Sequence, residues 1–317
     1  MNTFGTRFRV TTYGESHGLA VGAVIDGCPA GIRLDLEAID RDLVRRRNGA
    51  PRQEEDRVEW LSGLLDGVTL GTPIAFSIAN RNTRPEDYET LRHAFRPGHA
   101  DYTYHHKHGL RDHRGGGRAS ARETVARVVA GAIAKQLLHP VEFHAQVDQL
   151  GPELADDTRG GIVGCRITGL PAGVGDPLFG KLNAQLAAAM MSIPSAIGFE
   201  MGGGFAAALM PGSQYIDRWN QATKQSSNQA IKQSSNQATT QTNHCGGIQG
   251  GISNGMPVEF RVAFHPVATL PQPVECLTGD GRLEPLSIHG RHDRCHVMRL
   301  PVIVEAMAAL TIVNYEF

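Results

Sequence analysis

The stretch Phe8-Arg9-Val10-Thr11-Thr12-Tyr13-Gly14-Glu15-Ser16-His17-Gly18-Leu19-Ala20-Val21-Gly22-Ala23-Val24-Ile25 reads as strand, tight turn and strand. Its turn matches G-x-S-x-G, the pattern around a serine-hydrolase nucleophile, but that site needs a strand, a turn and then a helix. Here the residues after Gly18 alternate and include Gly22, which predicts a second strand and an antiparallel hairpin. Ser16 and His17 therefore sit on a turn. A turn histidine is more often a hydrogen-bonding surface residue than a catalyst unless other groups converge on it.

Working outward, Leu36, Ile39, Leu43 and Val44 recur at helical spacing after the N-cap candidate Asp35, and Asn48-Gly49 supplies a stop. Strands are predicted at Val58–Leu61, Pro73–Ile78, Val141–Val147 and Ile162–Ile167, and the alternation Val258, Phe260, Val262, Phe264 marks another. Helices are predicted at Thr124–Leu138, at Leu178–Met191 (capped by Asp176 with Pro177 at its first position) and at Val302–Val313. Lys224–Ala230 recurs verbatim as Lys232–Ala238, a polar period that can bury neither a helix face nor a strand face. Residues 215–242 are accordingly expected to form a surface loop carrying a disordered insertion.

The chain has 317 residues, enough for one large or two medium domains at roughly 100–200 residues each. Glu305 interrupts the longest apolar run, so no membrane span of roughly 18 residues is expected. Met1–Arg7 leads straight into a strand without an apolar leader segment, which predicts a cytoplasmic chain. The five cysteines are far apart and show no CxxC pairing, so they are expected to be reduced and structural, with no zinc site. A net charge of −1 does not suit a general nucleic-acid binder. Within the basic set, however, arginine outnumbers lysine 26 to 5, and arginine is the residue that grips carboxylate and phosphate bidentately. Between Arg92 and Arg127 stand eight Lys/Arg, three Asp/Glu and six histidines. A small-polyanion site and a merely solvated basic face both account for that cluster.

Gly115-Gly116-Gly117-Arg118-Ala119-Ser120-Ala121-Arg122-Glu123-Thr124 narrows the choice. Ser120 and Glu123 have capping-box spacing, and Val125, Val128, Val129, Ala132, Ile133 and Leu137 then trace an apolar helical face. A helix start flanked by Arg118 and Arg122 is suited to an anion. No Lys-Ser/Thr follows the glycines, so it is not a P-loop. A capped core helix with solvated arginines explains the helix but not the glycines and arginines together. Arg45-Arg46-Arg47 puts more cations at a helix C-terminus than the macrodipole requires. The histidines around His99 have arginine neighbours and no metal-ligand spacing, so no metal site is expected. Asp293, in Arg291-His292-Asp293-Arg294-Cys295, is either the cap region of the last helix or an ionised carboxylate among arginines.

Five ordered blocks together resemble the chorismate synthase family: Gly14–Gly18 through Asp26-Gly27-Cys28-Pro29, Arg96–Asp101, Gly117–Thr124, Asn243–Gly255 and Arg291–Asp293. The resemblance implies an α+β fold, a β-α-β sandwich of antiparallel sheets with internally duplicated strand/helix units, in which residues 1–317 form one domain. It implies a lyase of aromatic amino-acid biosynthesis: anti-1,4-elimination of phosphate from 5-enolpyruvylshikimate 3-phosphate to chorismate, with reduced FMN and no net redox change. By similarity Ser16, Arg47, Arg52, Arg96, Arg122 and Arg291 bind the substrate. Ser120, Arg122, Asn243, Gly247, His265, Thr269, Arg291 and Asp293 hold the flavin. His17 is implied as an acid toward the departing phosphate or the flavin, His99 as a group that holds or protonates the flavin at its N1/C2 edge, and Asp293, near flavin N5, as a participant in removing the proton from substrate carbon 6. A homotetramer is implied. The sequence carries no dinucleotide fingerprint, so reduced flavin is expected from a separate, NADPH-dependent reductase or a reduced-flavin pool.

Departures from the family pattern leave a second reading, a non-catalytic flavin- or substrate-binding relative. His265 stands where the family usually has a lysine for the FMN phosphate. Arg294 replaces a common proline. The segments between Arg47 and Arg57 and between Leu138 and Gly164 are short, and the chain stops soon after its last helix.

Overall fold

The computed structural model describes residues 1–220, 239–288, 291 and 293–316. The opening hairpin forms as its alternation predicts. Arg9–Tyr13 pairs antiparallel with Ala20–Asp26, and Val10, Val21, Ala23 and Ile25 turn inward. Ile74–Ala79 adds to Ala20–Asp26, and Glu59–Ser62 closes that edge while Thr3–Phe4 extends the other. The second sheet runs Glu142–Leu150, Gly161–Thr168, Val258–Phe264 and Ala196–Met201, again all antiparallel.

The two sheets are built the same way. Each begins with a hairpin and continues through a helix, Leu36–Arg47 in the first half and Leu182–Met191 in the second. Its third strand then goes to the edge and its fourth inserts beside the hairpin, followed by a second helix, Thr124–Leu137 or Leu300–Glu316. The four helices fill the space between the sheets, giving the expected duplicated β-α-β sandwich. The two closing helices meet where Gly131 faces Ala306, so closely that a Cβ on Gly131 would lie 2.3 Å from the alanine methyl. Buried side chains of both halves join in one hydrophobic cluster, each large one contributing about 1.5–3 kcal/mol relative to exposure.

Three sequence expectations are revised. The helix expected from Leu178 starts at Leu182, because Leu178–Gly180 forms a separate 3-10 turn and Asp176 does not cap it. Ser120 caps as expected by accepting from Arg122 N–H, but Glu123 pairs with Arg127 at 2.7 Å rather than reaching back, so the capping box is half formed. The segment Val297–Tyr315 is long and apolar enough to cross a membrane despite Glu305, yet 78% of its most apolar window is buried between the sheets. A helix apolar all round is what a central position requires. Glu305, 1% exposed, accepts from Arg45 (2.6 Å), Lys135 (2.7 Å) and Ala145 N–H (3.0 Å), tying both halves together.

Asp35 caps its helix through Ala38 N–H at 2.9 Å. The repeats Lys224–Ala230 and Lys232–Ala238 lie outside the described residues. Their flanks are joined: Trp219 bridges Thr240, and Asn220 N–H donates to Thr239 O at 2.8 Å. All five cysteines are free thiols.

Candidate active site

The hairpin turn carries Ser16 and His17 beyond one end of the first sheet's strands, where Ser16 N–H donates to Gly117 O at 3.1 Å. Gly115, Gly116 and Gly117 all adopt positive φ (57°, 79° and 52°), backbone that only glycine takes without strain. They thread between two histidines. A Cβ on Gly115 would stand 2.2 Å from the His17 ring, and one on Gly116 would stand 3.3 Å from the His99 ring. This accounts for the glycine run, which a capped helix alone did not.

His17 and Ser16 line a cavity of about 240 Å³ together with Arg46, Arg52, Ser120, Arg122, Arg291, Asp293, His296 and Arg299. Arg52 donates to Ser16 O at 2.9 Å and Arg291 donates twice to Asn82, both at 2.9 Å. Arg122 pairs with Asp56 and leaves Nη2 buried without a partner. Asp293 pairs with Arg299 and accepts from Cys295 N–H at 3.2 Å. Burial, then the charge of Arg52, holds the His17 pKa down at about 4, so the imidazole is neutral near pH 7. Its Nδ1 is buried and unpartnered, and Tyr88 meets the ring edge-on at 5.0 Å.

His99 faces a larger neighbouring cavity of about 640 Å³, which His265, Arg118 and Ala119 also line. Asp101 Oδ1 lies 3.1 Å from His99 Nδ1, and Arg96 Nη2 lies 3.1 Å from both ring nitrogens. Burial, together with the charges of Arg96 and Arg111, lowers the His99 pKa against the opposing hydrogen bond and charge of Asp101. Burial works to raise Asp101, but hydrogen bonds from His99 and Arg96 hold it well below the usual carboxylate range. Ile193 and Pro194 line both cavities, with Gly115 and Ser120 on the smaller one and Ala119 on the larger.

Not every expected residue reaches these cavities. The run Arg45-Arg46-Arg47 divides three ways: Arg45 enters the Glu305 network, Arg46 lines the smaller cavity, and Arg47 braces the next loop by donating to Glu54 O at 3.1 Å and to Glu55 O. Arg96 lines neither, being held by Asp101 at 2.8 Å and donating to Thr269 Oγ1 at 3.1 Å. Asn243 donates to Pro257 O at 2.9 Å and Gly247 packs against the same carbonyl, both beside the second sheet and apart from the two cavities. His265 Nδ1 contacts Pro266 O at 2.5 Å. Arg46, Arg299, His296, Glu54 and Asp56 were not singled out from the sequence. Only Arg46 had a signal there, as part of a run longer than a helix dipole explains. Among the described residues no three His, Cys, Asp or Glu side chains gather as a metal site.

A profile of the chorismate synthase family matches residues 8–156 and 153–316. The chain belongs to the chorismate synthase family. It is similar to chorismate synthases of Porphyromonas gingivalis, at 46% identity over 99% of this chain and 95% of that one, and of Christiangramia forsetii, at 45% over 99% and 97%. A crystal structure of chorismate synthase superposes with a TM-score of 0.73 at 26% identity, covering 98% of this chain and 92% of the other. Membership of the chorismate synthase family makes this chain an enzyme, a phosphate-eliminating lyase of the shikimate pathway. The alignment to the first relative runs over 360 positions against 317 residues here, so that chorismate synthase carries residues this chain lacks.

Proposed function

We propose that the smaller cavity binds 5-enolpyruvylshikimate 3-phosphate and the larger one reduced FMN, and that their contact permits anti-1,4-elimination of phosphate to chorismate. The observation that carries this is the convergence of Arg46, Arg52, Arg122, Arg291 and Arg299 on one small cavity with His17 and Asp293. Guanidinium forks suit a ligand with one phosphate and two carboxylates through charge-assisted paired bonds. All three chemical groups expected from the sequence, His17, His99 and Asp293, stand at the two cavities, which favours catalysis over a binding-only relative.

Ser16 and the arginines hold the anions. His17 is neutral near pH 7 and takes up a proton as phosphate charge arrives beside it, which readies it to protonate the departing group. Asp293, oriented by Arg299, is the carboxylate that receives or relays the proton leaving carbon 6. One proton and one phosphate leave as one double bond forms, so no electrons are gained or lost overall.

The larger cavity suits a flavin in size, within the roughly 300–1,000 Å³ of ligand sites. Gly116 keeps one side of the His99 ring open where any Cβ would crowd it. His99 would hold or protonate the flavin's N1/C2 edge, with Arg118 and Ala119 lining the same cavity and His265 toward the phosphate end, while Ser120 lines the smaller cavity and Thr269 reaches His99 only through Arg96. Reduced FMN, when bound, supplies the electron chemistry that the protein side chains lack. We infer that it arrives from a separate NADPH-dependent reductase or a reduced-flavin pool, that the enzyme works in the cytoplasm, and that it assembles as a homotetramer. The exposed Phe205, Leu209 and Trp219 support assembly. Asn243 and Gly247, which lie apart from both cavities, keep a flavin role only as an expectation from the family.

Anaerobic turnover with chemically reduced FMN tests the reading. Chorismate and phosphate are expected in equal amounts with reduced flavin and not with oxidised flavin. Binding of substrate and flavin without product would establish the non-catalytic alternative.

A further inference from the structure

Four of the cavity arginines, Arg46, Arg52, Arg122 and Arg291, are gathered directly or at one remove by two carboxylates two residues apart. Glu54 and Asp56 are 7% and 3% exposed, and Asp56 adopts φ +53°, a left-handed conformation unusual for a residue with a side chain. Glu54 Oε1 accepts from Arg52 Nε at 2.9 Å, from Arg52 Nη2 at 2.5 Å and from Asn82 N–H at 3.1 Å. Its Oε2 accepts from Arg81 N–H at 3.1 Å. Asn82, so held, presents its side-chain and backbone oxygens to Arg291, each at 2.9 Å. One carboxylate thus organises Arg52 directly and Arg291 at one remove. Asp56 does the same on the opposite side. Oδ1 pairs with Arg122, whose Nε donates to Asn80 Oδ1 at 2.9 Å, and Oδ2 lies 3.7 Å from Arg46, whose Nε donates to Thr124 Oγ1 at 3.1 Å.

We infer that Glu54 and Asp56 are positioning residues that set the cavity arginines before substrate arrives, Glu54 governing Arg52 and Arg291 and Asp56 governing Arg122 and Arg46. The inference rests on the proposed reading that this cavity binds the polyanionic substrate. Five guanidiniums crowded together repel one another, and Glu54, Asp56 and Asp293 offset three of those charges, leaving a surplus of two. Each carboxylate also uses up donors on one side of its guanidinium, so the remaining donors point in a set direction. Arg122 Nη2, buried and unpartnered, is such a donor. Preset donors spare the substrate the cost of ordering long side chains.

The test is a pair of double-mutant cycles read by KM, kcat and melting temperature in the anaerobic assay. Glu54→Gln and Asp56→Asn keep volume and remove charge, and each is expected to raise KM roughly 10- to 100-fold, with a smaller fall in kcat. The distinguishing readout is the pattern of coupling. In the Arg291→Ala background Glu54→Gln should cost at least about threefold less than alone, although the two side chains share no bond, while Asp56→Asn should cost the same as in the parent. In the Arg122→Ala background the pattern should reverse. A carboxylate that merely kept its loop folded would be additive with both arginines, and that result overturns the proposal. So does a KM within twofold of the parent in both carboxylate variants when the arginine variants are impaired. If the arginine variants themselves keep their KM, the cavity reading falls and takes this inference with it. Should Glu54→Gln fail to fold, Asn82→Ala removes the side-chain half of the link between Glu54 and Arg291, the Oδ1 acceptor, and leaves the backbone half in place without stranding a buried carboxylate. It is expected to raise KM about tenfold and to lose that effect in the Arg291→Ala background; additivity there counts against the proposal equally.

Discussion

Gly115 packs directly against the His17 ring: the Cβ that Gly115 lacks would lie 2.2 Å from both Nδ1 and Cε1 of the imidazole. His17 keeps its place over the smaller cavity because the backbone beside it carries no side chain. Gly115→Ala must both displace the ring and hold an L-residue at φ +57°, a conformation that costs about 1–2 kcal/mol. We expect turnover to fall more than about 100-fold with a lowered melting temperature. Gly116→Ala, whose Cβ would stand 3.3 Å from the His99 ring, should be milder on turnover and should weaken flavin binding. Equal activity in parent and Gly115→Ala, measured anaerobically, would remove His17 from its assigned position.

His17→Ala and His99→Ala each remove a polar group at the edge of a packed core rather than within it. Turnover is expected to fall by roughly 10- to 10,000-fold in each, with circular dichroism and melting temperature close to the parent. Parent-level turnover in both variants would refute the proton-transfer roles.

Substrate binding should draw in a proton. Free His17 is neutral above about pH 4 because burial and Arg52 disfavour its charged form. A phosphate beside it acts in the opposite direction and raises its pKa toward neutrality. The complex then holds more protons than the free components, so affinity contributed through His17 increases as pH falls and is lost as pH rises through the pKa of the complex. Calorimetry in buffers of different ionisation enthalpy should give proton uptake that is larger at pH 6 than at pH 8. His17→Ala is the control, since the phosphate of the substrate also titrates. The same uptake in that variant would show that the proton goes elsewhere.

His265 lines the larger cavity with Nδ1 turned onto Pro266 O. An imidazole in that arrangement has only its second ring nitrogen left to offer a phosphate, whereas a lysine ammonium on a flexible stem offers three N–H donors. His265→Lys is therefore expected to tighten FMN binding about tenfold, read as a lower flavin dissociation constant. Unaltered or weaker binding would place the flavin phosphate away from residue 265.

Much of the architecture was legible from side-chain periodicity. Val258, Phe260, Val262 and Phe264 are buried as their alternation requires, and Leu36–Arg47 begins at Asp35 and stops at Asn48-Gly49. Local rules failed where tertiary contacts competed. Asp176 was expected to start a helix that begins only at Leu182, whose N–H is taken by Gly251 O at 2.8 Å. Glu123 left its cap for Arg127. Glu305 interrupts an apolar run in the sequence, but its burial is made tolerable by Arg45 and Lys135 from other helices.

The site divides along the same line. By itself the sequence determined the hairpin that carries Ser16 and His17, the glycine run, the excess of arginine over lysine and the ordered blocks shared with the family, because each depends on neighbours in the chain. Only the tertiary structure decided which of three consecutive arginines faces the cavity, that Gly115 belongs to His17 and Gly116 to His99, and that Glu54 and Asp56 gather arginines from as far along the chain as Arg122 and Arg291. Charge and shape act through space, and residues more than 200 positions apart in sequence become neighbours only when the sheets close over the helices.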